Sequence, residues 1–201
     1  MTSITNICVF ISGGGTNLQS LIDGEKNGEF AGKIKLVISN KKDAYGLVRA
    51  EKAGIKNIWE RDNGKILKIL KDENIDLIVL AGYLKILPPS IIREYENKII
   101  NIHPSLIPSF CGKGYYGLIV HQKALERGVK ITGATSHFVN GETDGGPIIF
   151  QETVKVLEDD SPEILQKRVL EIEHKVLVKS VKYFCLEKLK VENKKVKILK
   201  E

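Results

Sequence analysis

Apolar residues along the chain fall into two alternating patterns. Short, almost unbroken apolar runs are typical of strands buried on both faces, as in a parallel sheet. Segments with apolar residues at helical spacing lie between these runs and predict helices. The runs predict strands at 4–11, 33–39, 55–59, 76–83 and 98–103, and the segments between and after them predict helices at 18–24, 43–53, 65–73, 88–95 and 117–127. Strands that alternate with helices of about ten residues indicate an α/β sheet.

The pattern changes in the second half of the chain. Residues 129–139 alternate between apolar and polar positions, which predicts a strand with one face open. A turn rich in glycine joins this strand to 148–156, its predicted antiparallel partner. A long amphipathic helix at 161–186 begins with a Ser-Pro pair that suits a helix N-terminus, and 187–201 predict a terminal hairpin or tail.

These elements predict a single α/β domain over residues 1–201. Its sheet should be mostly parallel and twisted, with an antiparallel addition near the C-terminal part. In such a sheet the working edge lies at the carboxyl ends of the parallel strands. The half at about 1–100 carries a glycine-rich loop, and the half at about 101–186 begins at a polar strand end.

Composition places the chain among ordinary globular proteins. Hydrophobic residues make up 42% and charged residues 28%, and no apolar run approaches the ~18 residues of a membrane span. The first predicted strand begins at residue 4, which leaves no room for a signal peptide. Three cysteines without C-x-x-C spacing favour free thiols in a reducing compartment. We therefore expect a cytoplasmic protein with no membrane partner.

Charge and histidine spacing narrow the expected partners. The net charge of +6 comes largely from scattered lysines with few aromatic residues among them. This pattern is a weak signal for nucleic acid and a modest one for anionic small substrates, so no nucleic-acid partner is expected. The four histidines form no H-x-x-x-H pair, and we expect no metal.

The strand at 98–103 ends in two polar residues, Asn101 and His103, just before the first of two prolines. Residues two apart on a strand share a face, so both side chains point the same way. An amide and an imidazole that converge at a strand's carboxyl end suit the stabilisation of an oxyanion. Asp144 would add a carboxylate that orients the imidazole or shares its proton. Alternatively, these residues solvate a loop and Asp144 only makes a turn.

Other residues compete for these roles. His137 and His121 are alternative histidines, although a lone histidine is more often structural. Cys111 could be a thiol nucleophile, but no helix N-terminus is evident beside it to lower its pKa.

The loop S-G-G-G-T-N at 12–17 follows the first strand and precedes a helix, an arrangement that suits an anion. Leu18 stands where a dinucleotide fingerprint needs glycine or alanine, and no Lys-Ser or Lys-Thr pair follows as in a Walker A loop. The loop is therefore predicted to hold one phosphate through Ser12, Gly13, Gly14, Gly15, Thr16 and Asn17. A tight turn without a ligand is the alternative.

Glu173 falls within the apolar face of the long helix. A carboxylate there is costly unless it has partners. It either contacts ligand hydroxyls or reaches water where the helix crosses the edge of the sheet.

Four segments together resemble one family. S-G-G-G-T-N-L-Q-S-L-I, A-G-Y-L-K-I-L, N-I-H-P-S-L-I-P and H-F-V-N-G-E-T-D-G-G-P-I-I are similar to the folate-dependent formyltransferases, over residues 6 to about 184. Within that family the chain resembles the glycinamide ribonucleotide formyltransferases of purine synthesis. A methionyl-tRNA formyltransferase would carry a second C-terminal domain, and a formyltetrahydrofolate deformylase an N-terminal regulatory domain.

The resemblance implies a three-layer formyltransferase fold and the direct transfer of a formyl group. The donor would be 10-formyltetrahydrofolate as cosubstrate, the acceptor the amine of glycinamide ribonucleotide, and no metal would take part. Asn101 and His103 would stabilise the oxyanion, and Asp144 would assist proton transfer. The half at 1–100 would then bind the nucleotide phosphate and the half at 101–186 would carry catalysis and folate. The protein is expected to be a monomer or a homodimer.

The resemblance also assigns binding residues. The substrate phosphate would lie on the glycine loop and the ribose hydroxyls on Glu173. Folate would contact Asn101, with Arg61 as a loose candidate for a family arginine, and it would lie along two segments. Those are Leu84, Lys85, Ile86 and Leu87, and Asn140, Gly141, Glu142, Thr143 and Asp144.

The chain departs from the family pattern in places. Gly141 and Thr143 replace residues that are more often acidic and apolar, Leu170 replaces a possible polar contact, and the loop at 111–119 is unusual. Two other functions stay open on the residues alone. The same three polar groups could direct water onto the formyl group, as in a hydrolase, or the glycine loop could serve a non-catalytic nucleotide-phosphate sensor.

Overall fold

The computed structural model of the protein describes residues 4–200. Residues 1–3 and 201, which the predicted domain bounds include, lie outside the described residues. The strands are β1 Thr5–Ile11, β2 Gly32–Ser39, β3 Lys56–Trp59, β4 Leu77–Leu80, β5 Ile99–His103, β6 Ile131–Phe138, β7 Ile148–Lys155, β8 Leu189–Glu192 and β9 Lys195–Ile198. The helices are α1 Thr16–Lys26, α2 Tyr45–Lys52, α3 Asn63–Asp72, α4 Pro89–Glu94, α5 Leu118–Arg127 and α6 Pro162–Cys185.

Seven strands form the main sheet, in the order β3-β2-β1-β4-β5-β6-β7. The first five run parallel, and β6 and β7 add antiparallel to β5 and to each other. The carboxyl ends of the parallel strands therefore meet at one edge. Strand order reverses between β1 and β4, and ligands of open α/β sheets bind at such a switch point. The predicted α/β fold with its antiparallel addition is confirmed.

The sheet separates two apolar layers. On one face α1, α2, α5 and α6 bury a cluster that includes Leu18, Leu21 and Val176, and on the other face α3 and α4 bury one that includes Ile66 and Ile91. Both faces of β1 and β4 are covered, which explains their unbroken apolar sequences. None of the helices that the structure describes is long and apolar enough to cross a membrane.

The expectation that β6 has one open face is wrong. Every residue from Thr132 to Phe138 is buried. Polar side chains of β6 bond within the protein rather than to water. The hydroxyl of Thr135 donates to the carbonyl of Ser105 at 2.6 Å and accepts from the amide of Ile107 at 3.1 Å, and the hydroxyl of Ser136 accepts from the amide of Phe150 at 3.1 Å. Apolar and polar residues alternate along a strand in the same way whether its polar side chains are hydrogen-bonded to protein or to water.

The ends of the long helix and of the chain agree with their prediction. Ser161 caps α6 by accepting a hydrogen bond from the amide of Ile164 at 3.3 Å, and Pro162 begins the helix. Strands β8 and β9 pair antiparallel as the predicted terminal hairpin.

Candidate functional site

Polar side chains meet where β5 ends against β6. Asn101 pairs in register with His137, and His103 pairs with Thr135. Ile100 and Ile102 belong to the α6 layer and Ile99 to the α4 layer. Because strand residues alternate between faces, Asn101 and His103 lie on the α4 side of the sheet.

The structure brings Asn101, His103 and Asp144 together and adds His137 to them. The amide nitrogen of Asn101 lies 3.1 Å from His137 Nε2 and 3.5 Å from Asp144 Oδ1. The carboxylate of Asp144 lies 3.6 Å from His103 Nδ1 through one oxygen and 3.6 Å from His137 Nε2 through the other. One carboxylate thus faces two imidazoles and one amide.

Backbone carbonyls set the tautomer of each histidine. His103 Nε2 lies 2.9 Å from the carbonyl oxygen of Phe110, and His137 Nδ1 lies 2.8 Å from that of Phe138. A carbonyl oxygen only accepts, so each of these ring nitrogens carries hydrogen and donates it. In the neutral rings the other nitrogens are bare, and both face Asp144. The site is arranged to receive a proton.

Burial and charge set which groups are ionised. Burial alone would raise the pKa of Asp144, but its interactions with His137 and His103 and the hydrogen bond from the amide of Gly112 together lower it below its usual value. Burial lowers the pKa of His103, although Asp144 and the Phe110 carbonyl oppose this. At neutral pH the carboxylate is therefore charged and His103 is neutral.

The loop that carries Asp144 is held by its own bonds. Asp144 has a positive φ of 54° and accepts a hydrogen bond from the amide of Gly112 at 2.8 Å. The side chain of Asn140 donates to the carbonyl of Gly145 and accepts from the amide of Glu142. Of the predicted folate contacts here, Gly141, Glu142 and Thr143 are exposed. The loop therefore offers an open edge beside a partly buried carboxylate.

The two histidines weighed against His103 have different positions. His137, weighed only as an alternative to His103, lies in the same cluster as His103, because β5 and β6 pair in the register that places it opposite Asn101. Burial lowers the pKa of His121 on α5 to about 4. Burial, with the charge of Asp144, raises the pKa of the Cys111 thiol, which disfavours the thiolate that a nucleophile needs.

The glycine loop wraps the N-terminus of α1. Gly15 is the N-cap with a left-handed φ of 71°, and a Cβ there would lie 2.7 Å from the Cα of Gly46. Asn17 is buried, and its amide donates to Glu173 on α6 at 2.8 Å. The first amides of α1 have no intrahelical acceptor, as in any helix, and Gly13, Gly14 and Thr16 leave them accessible.

The hydroxyl of Ser12, a predicted phosphate contact, is hydrogen-bonded within the protein. Its hydroxyl donates to the side-chain oxygen of Asn40 at 2.6 Å and accepts from the amide of Leu84 at 2.8 Å. Its only hydrogen is committed to Asn40. The hydroxyl therefore links the glycine loop to the predicted folate segment.

Glu173 is 7% exposed, so it does not reach water at the edge of the sheet. Burial raises the pKa of its carboxyl group, and the hydrogen bond from Asn17 opposes that rise. A carboxylate held beside the glycine loop at this cost is suited to bind ligand hydroxyls.

The predicted folate segment presents two apolar side chains. Leu84 is 55% exposed and Ile86 is 75% exposed, whereas Leu87 is buried. The ammonium of Lys85 donates to the carbonyl of Arg61 at 2.7 Å and to the side chain of Asn63 at 3.1 Å. An open cleft of about 690 Å³ lies beside them, lined by Trp59, Glu60, Arg61, Asp62, Lys65 and Lys85. The structure thus places Arg61 next to the segment.

Known proteins similar to this chain point to one family. Residues 5–181 match the formyl transferase family. The chain belongs to that family. Among its relatives, a phosphoribosylglycinamide formyltransferase of Haemophilus influenzae is 43% identical over 197 residues, with 93% of this chain and 90% of that one covered. A chloroplastic phosphoribosylglycinamide formyltransferase of Arabidopsis thaliana is 40% identical, with 92% of this chain and 66% of the relative covered.

Solved structures show the same fold for this member of the formyl transferase family. A glycinamide ribonucleotide transformylase of Symbiobacterium toebii superposes with a TM-score of 0.93 at 38% identity, with 98% of this chain and 95% of that one covered. A formyltetrahydrofolate deformylase of Pseudomonas syringae superposes with a TM-score of 0.90 at 29% identity, with 98% of this chain and 67% of the other covered. The predicted family and the resemblance to phosphoribosylglycinamide formyltransferases are confirmed. Between residues 4 and 200, no group of three or more His, Cys, Asp or Glu side chains is placed to hold a metal ion.

Proposed function

We propose that this protein transfers the formyl group of 10-formyltetrahydrofolate to the amine of glycinamide ribonucleotide. One observation carries the proposal: an ionised Asp144 faces the bare nitrogens of two tautomer-fixed histidines, with the amide of Asn101 beside them. Such a cluster accepts a proton and offers a hydrogen-bond donor at one place, as acyl transfer to an amine requires. The names of the relatives agree with it.

Bond formation is the first step of the proposed mechanism. The amine nitrogen attacks the formyl carbon, and the electrons of the C=O double bond move to its oxygen. The amide of Asn101 would stabilise that oxyanion, joined by His103 once it has taken up the proton of the attacking nitrogen. Loss of one such donor typically reduces kcat by ~10²–10³.

Proton transfer completes the reaction. The attacking nitrogen becomes acidic once bonded, and its proton moves to the bare Nδ1 of His103, where Asp144 stabilises the imidazolium. The intermediate then collapses: the C=O bond re-forms, the bond to N10 breaks, and N10 takes the proton. The products are the formylated amine and tetrahydrofolate, so atoms and charge balance without a covalent enzyme intermediate.

Binding of both substrates is proposed along the carboxyl edge of the sheet. The substrate phosphate would lie on the amides of Gly15, Thr16 and Asn17, and the ribose hydroxyls on Glu173. Folate would cover the exposed Leu84 and Ile86, and it would reach the loop at 140–144. Its carboxylates would extend into the cleft between Arg61 and Lys85, where both side chains are cationic.

The direct test is a rate assay with purified protein. We expect release of tetrahydrofolate from 10-formyltetrahydrofolate only when glycinamide ribonucleotide is present, with the formylated amine formed in equal amount. Absence of amine-dependent release would overturn the proposal. Release with folate alone would instead indicate the hydrolase, a candidate that the structural likeness to a deformylase supports. Tight ribonucleotide binding without any turnover would indicate a sensor.

Glu173→Gln should weaken binding of the ribonucleotide while it raises the stability of the fold at high pH. Because the pKa of Glu173 is raised in the fold, the stability that this group contributes is present below its ordinary pKa and is lost as pH rises through the raised value. Removal of the charge should therefore raise the melting temperature at pH 8, with convergence on wild type near pH 4. Weaker bonds to the ribose hydroxyls should raise KM for the ribonucleotide about tenfold.

The control for this variant is Glu171→Gln, which changes an exposed carboxylate on the same helix. Thermal melts over pH 4–8 and initial rates would be measured for both variants. An unchanged KM in Glu173→Gln would contradict the ribose assignment, and equal stability shifts in the two variants would contradict the burial argument.

We also propose a cytoplasmic location and leave a monomer or a homodimer as the expected state. Cys8 and Cys185 are buried free thiols, which agrees with a reducing compartment.

A further inference from the structure

The glycine loop is held from behind by α2. The amide of Gly46 donates to the carbonyl of Gly13 at 3.0 Å. The guanidinium of Arg49 donates through Nε to the carbonyl of Gly14 at 2.8 Å and through Nη1 to Gln19 on α1 at 3.1 Å. Two successive carbonyls of the loop thus point at α2.

These hydrogen bonds to the Gly13 and Gly14 carbonyls also fix the direction of the amides that follow them. In a trans peptide unit the C=O of one residue and the N–H of the next point in opposite directions. A Gly13 carbonyl bonded to α2 therefore directs the Gly14 amide away from α2, and a bonded Gly14 carbonyl does the same for the Gly15 amide. Glycine has no side chain to restrict such a peptide, so an unbonded carbonyl there would leave the amide free to rotate.

The amides thus directed lie on the ligand side of the loop. Helix α1 packs against α2 and also against α6, which carries Glu173. Asn17 in the first turn of α1 bonds to Glu173. The face of the loop away from α2 is therefore the face on the side of the proposed nucleotide site.

We propose that Arg49 is a positioning residue for the phosphate of the ribonucleotide: by holding the Gly14 carbonyl it presents the Gly15 amide to the ligand. The inference deepens the proposed function and rests on it for the identity of the ligand. Lysine cannot replace this group, because the two bonds need the fixed fork of a guanidinium and a lysine ammonium is a point donor. Arg49 also stacks over Tyr45, with 5.2 Å between its guanidinium carbon and the ring centre, which holds the side chain in place.

The loop needs its close approach to α2 as well. A Cβ on Gly46 would overlap the tip of Ile11 and lie 3.3 Å from the Cα of Gly15. Gly46→Ala should therefore push α2 away from the loop and weaken the same contact without touching Arg49. It provides a second, independent variant.

Steady-state kinetics with Arg49→Lys and Arg49→Gln test the proposal. We expect KM for glycinamide ribonucleotide to rise about tenfold in both variants, with kcat within about twofold and KM for 10-formyltetrahydrofolate unchanged. Arg93→Gln is the control, since it changes an exposed arginine on α4 in the other helix layer. Wild-type behaviour of Arg49→Lys would overturn the proposal in favour of charge alone. An equal rise of both KM values would overturn it in favour of general damage.

Direct binding distinguishes failure of this inference from failure of the proposed function. Inorganic phosphate would be titrated into protein labelled with ¹⁵N-glycine, and the Gly15 amide followed by NMR. We expect a shift of that amide in wild type, and about tenfold weaker phosphate binding in Arg49→Gln and Gly46→Ala. Equal binding in all proteins would contradict the role of Arg49. Wild-type binding without formyl transfer would leave that role intact and refute the proposed function.

Discussion

Asp144→Asn should lower kcat by roughly 10³-fold while KM for each substrate changes little. A positioned proton-transfer group contributes ~10²–10⁴ to a rate. An asparagine amide would donate hydrogen to the bare nitrogens of His103 or His137 and occupy the place meant for the substrate proton. Removal of the charge also removes the larger of the two effects that oppose burial in setting the pKa of His103. The imidazolium of the proposed mechanism then loses its stabilising partner.

The measurement is the rate of tetrahydrofolate release at saturating concentrations of both substrates. Asp159→Asn is a matched control, because it removes an exposed carboxylate in the turn before α6. The lowered pKa of Asp144 means that its charge stabilises the fold above its ordinary pKa, and this stability is lost as pH falls below it. The variant should therefore melt slightly below wild type at pH 7 and approach it near pH 3. A kcat within threefold of wild type would leave Asp144 as a turn residue only.

Gly146→Ala should destabilise the protein by about 3 kcal/mol or more, which corresponds to a fall in melting temperature of roughly 10 °C. A Cβ at this position would overlap the carbonyl oxygen of Phe138 and approach its carbonyl carbon at 2.8 Å. Both atoms belong to the backbone, so no side chain can move aside. The same carbonyl accepts the hydrogen bond that sets the tautomer of His137, and the Phe138 amide donates to Pro147. Activity should therefore fall with stability.

The same loop supplies the control. Gly141→Ala would place a Cβ where nothing lies within 4 Å, so its stability should stay within about 0.5 kcal/mol of wild type. Thermal and urea unfolding of the two variants would be compared, together with their rates at a temperature where both are folded. Similar melting temperatures for the two variants would contradict the prediction, because they would show that the backbone around residue 146 shifts to accommodate a Cβ.

Features that depend on local pattern were predictable. The unbroken apolar runs placed β1 and β4 in the covered part of a parallel sheet, and two-residue periodicity placed Asn101 and His103 on one face of β5. The N-cap at Ser161 follows from a hydroxyl followed by proline. Each of these depends on residues close together in the chain, which is why periodicity and capping chemistry were enough.

Features that depend on distant pairing were not predictable. The role of His137 requires the register between β5 and β6, and the commitment of the Ser12 hydroxyl requires that Leu84 and Asn40 come together beside it. The polar positions of β6 were misread as solvated because a hydroxyl bonded to a distant carbonyl has the same sequence as one bonded to water. The hydrogen bond from Arg49 to the carbonyl of Gly14 was not predictable either, because the two residues are far apart in the chain.

The register that places Asn101 opposite His137 also protects the site against faulty assembly. A strand slipped by one residue turns every side chain to the opposite face. Such a slip of β5 would place Asn101 and His103 in the apolar layer under α6. It would also move Ile100 and Ile102, which are buried in that layer, to the opposite face of the sheet. The cost of burying those polar groups excludes the slipped form. A molecule that has buried its core has therefore also aligned its polar cluster, and a folded population should contain no fraction with the cluster out of register.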